Sequence, residues 1–251
     1  MNKSEEQEIK KEFQLERVIL FSDAVFAIII TIMVLDIRLP EGIRHMDFKE
    51  AKHSFLELIP KTMAYGLSFF LVARFWLSHL RMFSHLRDYD NTLLVYNLFC
   101  LFSVSLFPFA VTLISGNISP ETPAYGWSIY IYMSIILLTA LSQTLTCRYL
   151  VLNRDKLCFE PEKIIDVLKY RALRYNFILI PVTICLLVAI SFLNYPGYYY
   201  IAALVVYGVT MGRLNRKYYP KSNDGPVIVS LFNTIRKRTS RKSSNKQINK
   251  T

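Results

Sequence analysis

Apolar residues in this chain come in blocks rather than at the alternating or three-and-four spacing of a soluble domain. The blocks are Val18–Ile37, Ile59–Leu77, Leu93–Ile114, Tyr125–Thr146, Phe177–Leu193 and Tyr198–Met211. A bilayer's hydrocarbon core is crossed by roughly 20 apolar residues of helix, so each block predicts a membrane span. The predicted fold class is an all-α integral membrane protein with six transmembrane helices. The last two blocks are short, and the Asn194-Tyr195-Pro196-Gly197 turn joins them as a hairpin. Two connectors carry a helical apolar stripe and read as helices lying in the membrane interface. One is Glu162–Tyr175, opened by Pro161, with Ile164, Ile165, Leu168 and Ala172 on one face. The other carries Phe48, Ala51, Phe55 and Leu58. The acidic amphipathic stretch Ser4–Glu16 and the lack of a small-residue cleavage site argue against a signal peptide. The chain thus divides into an N-terminal segment (1–16), a six-span domain (17–212) and a basic tail (213–251), whose Ser/Lys/Asn-rich end, Ser240–Thr251, reads as disordered.

Composition narrows the class further. Of 251 residues, 53% are apolar and only 20% charged, which excludes a soluble enzyme, a disordered chain and a disulfide-stapled secreted domain. Eight glycines argue against glycine-rich phosphate loops. Cys100, Cys147, Cys158 and Cys185 have no C-x-x-C pairing and read as reduced and structural. The formal charge of +11 is concentrated: from Arg213 onward there are eleven basic residues against Asp224 alone. A basic tail behind a hydrophobic body predicts anionic lipid as its partner rather than nucleic acid. Lys and Arg also set orientation. The connection between spans 4 and 5 holds seven of them, and the loops after spans 3 and 5 hold none, so both termini are predicted to be cytoplasmic. The outer loop Arg38–Leu58 is a mild exception, because its four basic residues are matched by Glu41, Asp47, Glu50 and Glu57.

No metalloprotease, nucleophile-elbow or phosphate-loop motif is present, nor the T-V-G-Y-G carbonyl filter, and no cofactor is expected. His45, His53, His79 and His85 lie near span ends or in loops, which favours packing over metal binding. The first span carries the distinctive chemistry. Asp23 lies six residues past Arg17, about 9 Å deeper at roughly 1.5 Å per residue. A carboxylate at that depth is costly unless it is paired or faces water. Trp76 and His79 near the end of span 2, and Asn97 near the start of span 3, fall at the depth of Ser22 and Asp23. They supply donors for the carboxylate. Asp23 is therefore favoured as a brace between helices, with an ion or proton path as the alternative. On a helical wheel Phe21, Ala24, Ile28, Ile32 and Leu35 share the opposite face, with Thr31 on its flank. Taken by itself, that face is best explained by ordinary helix packing; composition and spacing alone do not make it a pore.

The run Arg17-x-x-x-Phe21-Ser22-Asp23, with Trp76-x-x-His79, Asn97-Leu98 and Ser105-Leu106-Phe107-Pro108-Phe109 behind it, resembles the endolysosomal potassium-channel family and its bacterial relatives. One six-span unit per chain is similar to the bacterial form, whereas the animal proteins duplicate it. The resemblance implies a homotetramer whose pore is lined by four copies of span 1. It also implies a hydrophobic constriction at Ile28, later layers at Ile32 and Leu35, and a pore-facing hydroxyl at Thr31. Arg17, Ser22, Asp23, Trp76, His79 and Asn97 would then lock span 1 to its neighbours. The expected function is a channel weakly selective for potassium over sodium. A proton leak or proton-coupled transporter relayed by Asp23, and a non-conducting membrane scaffold, stand as alternatives. Asp36, at the outer end, either concentrates cations or pairs with Arg38 or a loop residue.

Overall fold

The computed structural model describes residues 3–38, 47–116, 122–193, 195–196 and 198–220. His45, the Asn194 and Gly197 positions of the predicted turn, and the tail from residue 221 lie outside them. All the regular elements among the described residues are helical. Helix α1 runs Lys3–Ile32 and tightens into a 3-10 turn at Met33–Asp36; α2 is Phe48–Phe83, α3 Asn91–Ser105 and α4 Phe107–Gly116. Then follow α5 (Pro123–Leu152), three single turns α6 (Arg154–Leu157), α7 (Ile164–Val167) and α8 (Tyr170–Leu173), and the pair α9 (Asn176–Phe192) and α10 (Tyr198–Tyr218). Every predicted span coincides with one of these helices or a pair of them. Five stretches are long and apolar enough to cross a membrane: Lys11–Asp36, Phe48–Phe83, Asn91–Gly116, Ala124–Leu152 and Tyr170–Phe192. The sixth, α10, has a helix's length, but its tyrosines and its Arg213, Arg216 and Lys217 leave it less apolar.

Three predicted details differ. The stripe Phe48–Leu58 is not a separate interfacial helix but the start of α2, which is 36 residues long. At 1.5 Å per residue that is about 54 Å, well beyond the roughly 30 Å hydrocarbon core. A reciprocal cap starts it: Asp47 accepts from the Glu50 amide at 2.7 Å, and Glu50 accepts from the Asp47 amide at 3.4 Å. Pro60 removes one donor from this long ladder, and the cooperativity of the remaining turns carries the helix through it. Span 3 breaks at Leu106, where Pro108 takes a first-turn position of α4 and its missing N–H costs nothing. The Glu162–Tyr175 helix is also broken, because Lys169 adopts the left-handed conformation (φ 54°) between α7 and α8. Its apolar face does not lie on lipid: Ile164, Leu168 and Ala172 are buried against the protein.

The central helix is α5, packed by α3, α4 and α9. Its hydroxyls show how a membrane interior disposes of polar groups, since each must be satisfied internally. Ser128, Thr139, Thr144 and Thr146 all donate to the carbonyl one turn back, at 2.7–2.9 Å. Two apolar clusters fill the bundle. One surrounds Phe26, Val72, Val104, Phe107 and Leu137. The other, at the end where α1 begins, joins Leu15, Phe83, Leu93, Leu150 and Leu157. Over that second cluster the connectors are tied together, with the Arg87 amide donating to the Leu157 carbonyl at 2.7 Å and the Phe159 amide to the His85 carbonyl at 3.1 Å. All four cysteines are free; Cys185 alone of them is exposed.

Candidate functional site: the two faces of the first helix

Helix α1 is held by one face and bare on the other. Only 22% of its most apolar stretch is buried within the chain, against 56% for α5, although α2, at 11%, is less covered still. The held face carries Leu15, Ser22, Phe26, Ile29 and Met33, all buried. Ser22 is fully enclosed; its hydroxyl donates to the Val18 carbonyl at 2.9 Å and accepts from Asn97 Nδ2 at 2.9 Å. Asn97 Oδ1 then lies 2.8 Å from His79 Nε2. Since the amide oxygen only accepts, Nε2 carries the hydrogen there. His79 stacks on Phe83 with ring centroids 4.2 Å apart and meets Phe26 at 5.4 Å, so its ring plane is fixed by packing. One residue along α1, Asp23 Oδ1 accepts from Trp76 Nε1 at 2.8 Å.

Five of the residues singled out from the sequence are thus brought together in two adjoining arrangements. Their division of labour differs from the expectation: Trp76 serves the Asp23 carboxylate, while Asn97 serves the Ser22 hydroxyl and His79 in turn holds Asn97. Trp76 and His79 are three apart on α2, as Ser22 and Asp23 are adjacent on α1, so the two links tie α1 to both α2 and α3. Arg17 and Phe21 do not join them. Both sit on the exposed side of α1, where they line an open groove with Gln14, Tyr89, Leu94 and Leu98 that also reaches Asn97. The reason is helical geometry: 17, 21, 24 and 28 stack along one stripe, and 22 lies well off it.

That stripe is the bare face. Ile28 is 54% exposed, Ile32 46% and Leu35 67%, while Ile29 and Met33 beside them are buried. Thr31 is exposed, and its hydroxyl hydrogen is taken by its own helix, with the Ala27 and Ile28 carbonyls at 3.0 and 2.9 Å. Its lone pairs are left to face outward. Asp36 leaves the stripe: it is half-buried and accepts from the Ser115 hydroxyl of α4. Sequence reasoning did not single out Ser115. The available signal was topological, since the ends of spans 1 and 3 reach the same side of the bundle. It also missed Ser68, whose hydroxyl meets that of Tyr132 at 2.8 Å between α2 and α5.

Taken together, the fold and this arrangement define a multi-pass helical membrane protein whose first helix is anchored on one side and open on the other. Residues 17–108, from the start of the Arg17 run through α3 to Pro108, match the family described as "Endosomal/lysosomal potassium channel TMEM175". The resemblance drawn from the sequence therefore holds over that stretch, and the family is one of ion channels rather than enzymes. A protein named potassium channel from Chryseobacterium sp. (strain P1-3) is 34% identical over 125 residues, covering 50% of this chain and 62% of its own length. Another of that name, from Streptomyces collinus, is 26% identical over 181 residues, covering 72% of this chain and 84% of its own. Human endosomal/lysosomal proton channel TMEM175 is 29% identical over 98 residues, which is 19% of its length. Among solved structures, a lysosomal potassium-selective channel TMEM175 homolog from Chamaesiphon minutus superimposes with TM-score 0.62 at 24% identity, covering 80% of this chain and 98% of that one. That likeness shows the same fold.

Proposed function

We propose that this chain is the subunit of a homotetrameric, weakly potassium-selective channel, with the bare face of α1 turned to a central pore. The single observation that carries the reading is the contrast across α1. An apolar stripe at Ile28, Ile32 and Leu35 is left uncovered, while the reverse face is fixed by the Ser22–Asn97–His79 and Asp23–Trp76 hydrogen bonds. A hydrophobic stripe facing lipid would need no such fixing of its rotation. A stripe facing three copies of itself across a narrow pore does, because a small turn of α1 would move Ile28 off the axis.

A ring of isoleucines offers no oxygen to replace an ion's hydration shell, and when closed it excludes water altogether. Slightly open, it makes ions shed or deform part of that shell. Potassium holds its water less tightly than sodium, so modest selectivity follows. Thr31, one turn further along, presents lone pairs that stand in for some of the lost water. In this reading α10 is the sixth span, both termini face the cytoplasm as the placement of Lys and Arg dictates, and the basic tail lies against anionic lipid. The names of the bacterial relatives support potassium as the permeant ion. The vertebrate relatives' names favour a second reading, in which protons cross the same pore.

Flux from proteoliposomes tests both. Potassium efflux should exceed sodium efflux at symmetric pH, and Ile28→Asn, by wetting the constriction, should narrow the difference. Unchanged selectivity in a folded Ile28→Asn protein removes Ile28 as the filter. A pH-sensitive dye in the same vesicles reads proton flux: acidification without potassium efflux would establish the second reading.

A further inference from the structure

A cavity of about 320 Å³ lies between α2, α5, α9 and α10, in the half of the bundle where α1 begins, and takes no part in the reading above. It is about ten times the roughly 30 Å³ that one water occupies in the liquid, so it is too large for a lone ion. One wall is apolar, built from Leu71, Phe75, Ile136 and Leu204. The wall behind is polar and, Asn215 apart, satisfied. Gln143 Nε2 donates to the Phe75 carbonyl at 2.7 Å, Asn176 Nδ2 to Thr144 Oγ1 at 2.8 Å, and the Tyr207 hydroxyl to Asn176 Oδ1 at 3.1 Å. Asn215 completes it, and its Oδ1 is buried with no hydrogen-bond partner among the described residues. The cavity also holds Arg74 and Arg81, seven apart and hence on one side of α2, and among the described residues no acidic side chain lines it.

Arg74 is the telling residue. It lies nine residues before the end of α2, about 13 Å from that end, inside the predicted span Ile59–Leu77, and no ion pair reaches it among the described residues. A cation at that depth is costly without an anion or water beside it. It is exposed, as is Gly208 of α10, so the cavity opens sideways between α2 and α10 onto what would be the membrane.

We propose that this cavity binds an anionic phospholipid from the leaflet on the side where α1 begins. Arg74 and Arg81 hold the phosphate, the unpaired Asn215 oxygen accepts from a headgroup hydroxyl, and the first methylenes lie against Leu71, Phe75 and Leu204. Lipid is favoured over a soluble anion because the opening lies within the span, reached by sideways diffusion in the bilayer. The inference requires that the chain spans a membrane, and it is independent of which ion crosses the pore.

Native mass spectrometry of the full chain in detergent, with phosphatidylglycerol, phosphatidylcholine or inorganic phosphate added, reads the site without any flux measurement. Phosphatidylglycerol should be retained in preference to phosphatidylcholine. Arg74→Gln should weaken that retention about tenfold or more, the scale of one charge-assisted hydrogen bond, and Arg74→Lys should keep most of it. Gly208→Leu keeps both arginines, and a Cβ at Gly208 meets nothing within 4 Å. It should therefore fold and exclude the lipid by filling the space. Equal retention of the two lipids, or parental retention in both Arg74→Gln and Gly208→Leu, overturns the site. Displacement of phosphatidylglycerol by equimolar inorganic phosphate overturns the assignment to lipid.

Discussion

Replacing Trp76 by Phe removes the indole N–H that meets Asp23 at 2.8 Å and leaves an aromatic ring in its place. Two scales bracket the cost. A hydrogen bond to a charged group is worth about 1.5–3 kcal/mol in soluble proteins, while interhelical bonds in membrane proteins average about 0.6 and reach about 1.7. Asp23 is half-buried and deep in the span, so its carboxylate draws little help from solvent. The upper end of the membrane range applies, about 1.5 kcal/mol. Trp76→Phe also shrinks a side chain packed against the core beside Phe75, so the single variant overstates the bond. A double-mutant cycle with Asp23→Ala isolates it, and the coupling energy should come out near 1.5 kcal/mol. For a chain of this length that is a shift in melting temperature of roughly 3–6 °C, measured by circular dichroism in detergent with flux recorded in parallel. A coupling under about 0.5 kcal/mol refutes the anchoring role. So does a fully stable Trp76→Phe channel that has lost conduction, which would place Asp23 in the ion path.

Two further outcomes follow from the geometry. Ile28 and Ile29 are neighbours of identical chemistry about 100° apart around α1, 54% and 5% exposed. Ile29→Ala should cost about 2–5 kcal/mol of stability, whereas Ile28→Ala should stay within about 0.5 kcal/mol and act on ion flux; equal melting temperatures for the two would contradict the packing. Outside the spans, burial pushes the Asp90 carboxyl up, but the Tyr149 hydroxyl, the Leu93 amide and Lys156 outweigh it and hold it below its ordinary 3.8. A depressed carboxyl stabilises the fold above its ordinary value and loses that contribution as pH falls from about 3.8 through its lower folded value. Melting curves at pH 7 and pH 3 should therefore show a smaller acid loss for Asp90→Asn, which keeps a capping side chain for α3; an unchanged acid loss would sink the assignment.

Much of the site was legible because depth along a helix is simple arithmetic. Counting residues from the span ends put Trp76, His79 and Asn97 level with Ser22 and Asp23, and all five meet. Counting did not say which donor serves which acceptor, since that depends on the rotation and sideways offset of α1, α2 and α3. Arg17 shows the same limit: its place in the motif suggested that it joins the lock, but a helix distributes the residues of a motif around its axis, and Arg17 falls on the exposed side with Phe21. The Asp36–Ser115 contact was hidden because the two residues are 79 apart, and only the packing of α4 against the end of α1 joins them.

The boundaries show the other half of the lesson. Local patterning began span 2 at Ile59, set the Phe48–Leu58 stripe apart as an interfacial helix and kept Glu162–Tyr175 whole, and these readings gave way to the environment. Cooperative hydrogen bonding carried α2 through its proline, and burial of Ile164, Leu168 and Ala172 on the protein drew the chain into two turns around Lys169. What the sequence determined by itself was the set of membrane-capable helices. The length and apolarity of a segment decide whether it can cross a bilayer, whatever its neighbours are. What the tertiary structure alone decided, apart from α1 where Asp23 marked the held side, was which side of each helix faces protein. Lipid tails and protein cores are equally apolar, so hydrophobic patterning is blind to the difference. Side-chain packing and a few buried hydrogen bonds turn α1 so that Ile29 faces inward and leave Ile28 bare.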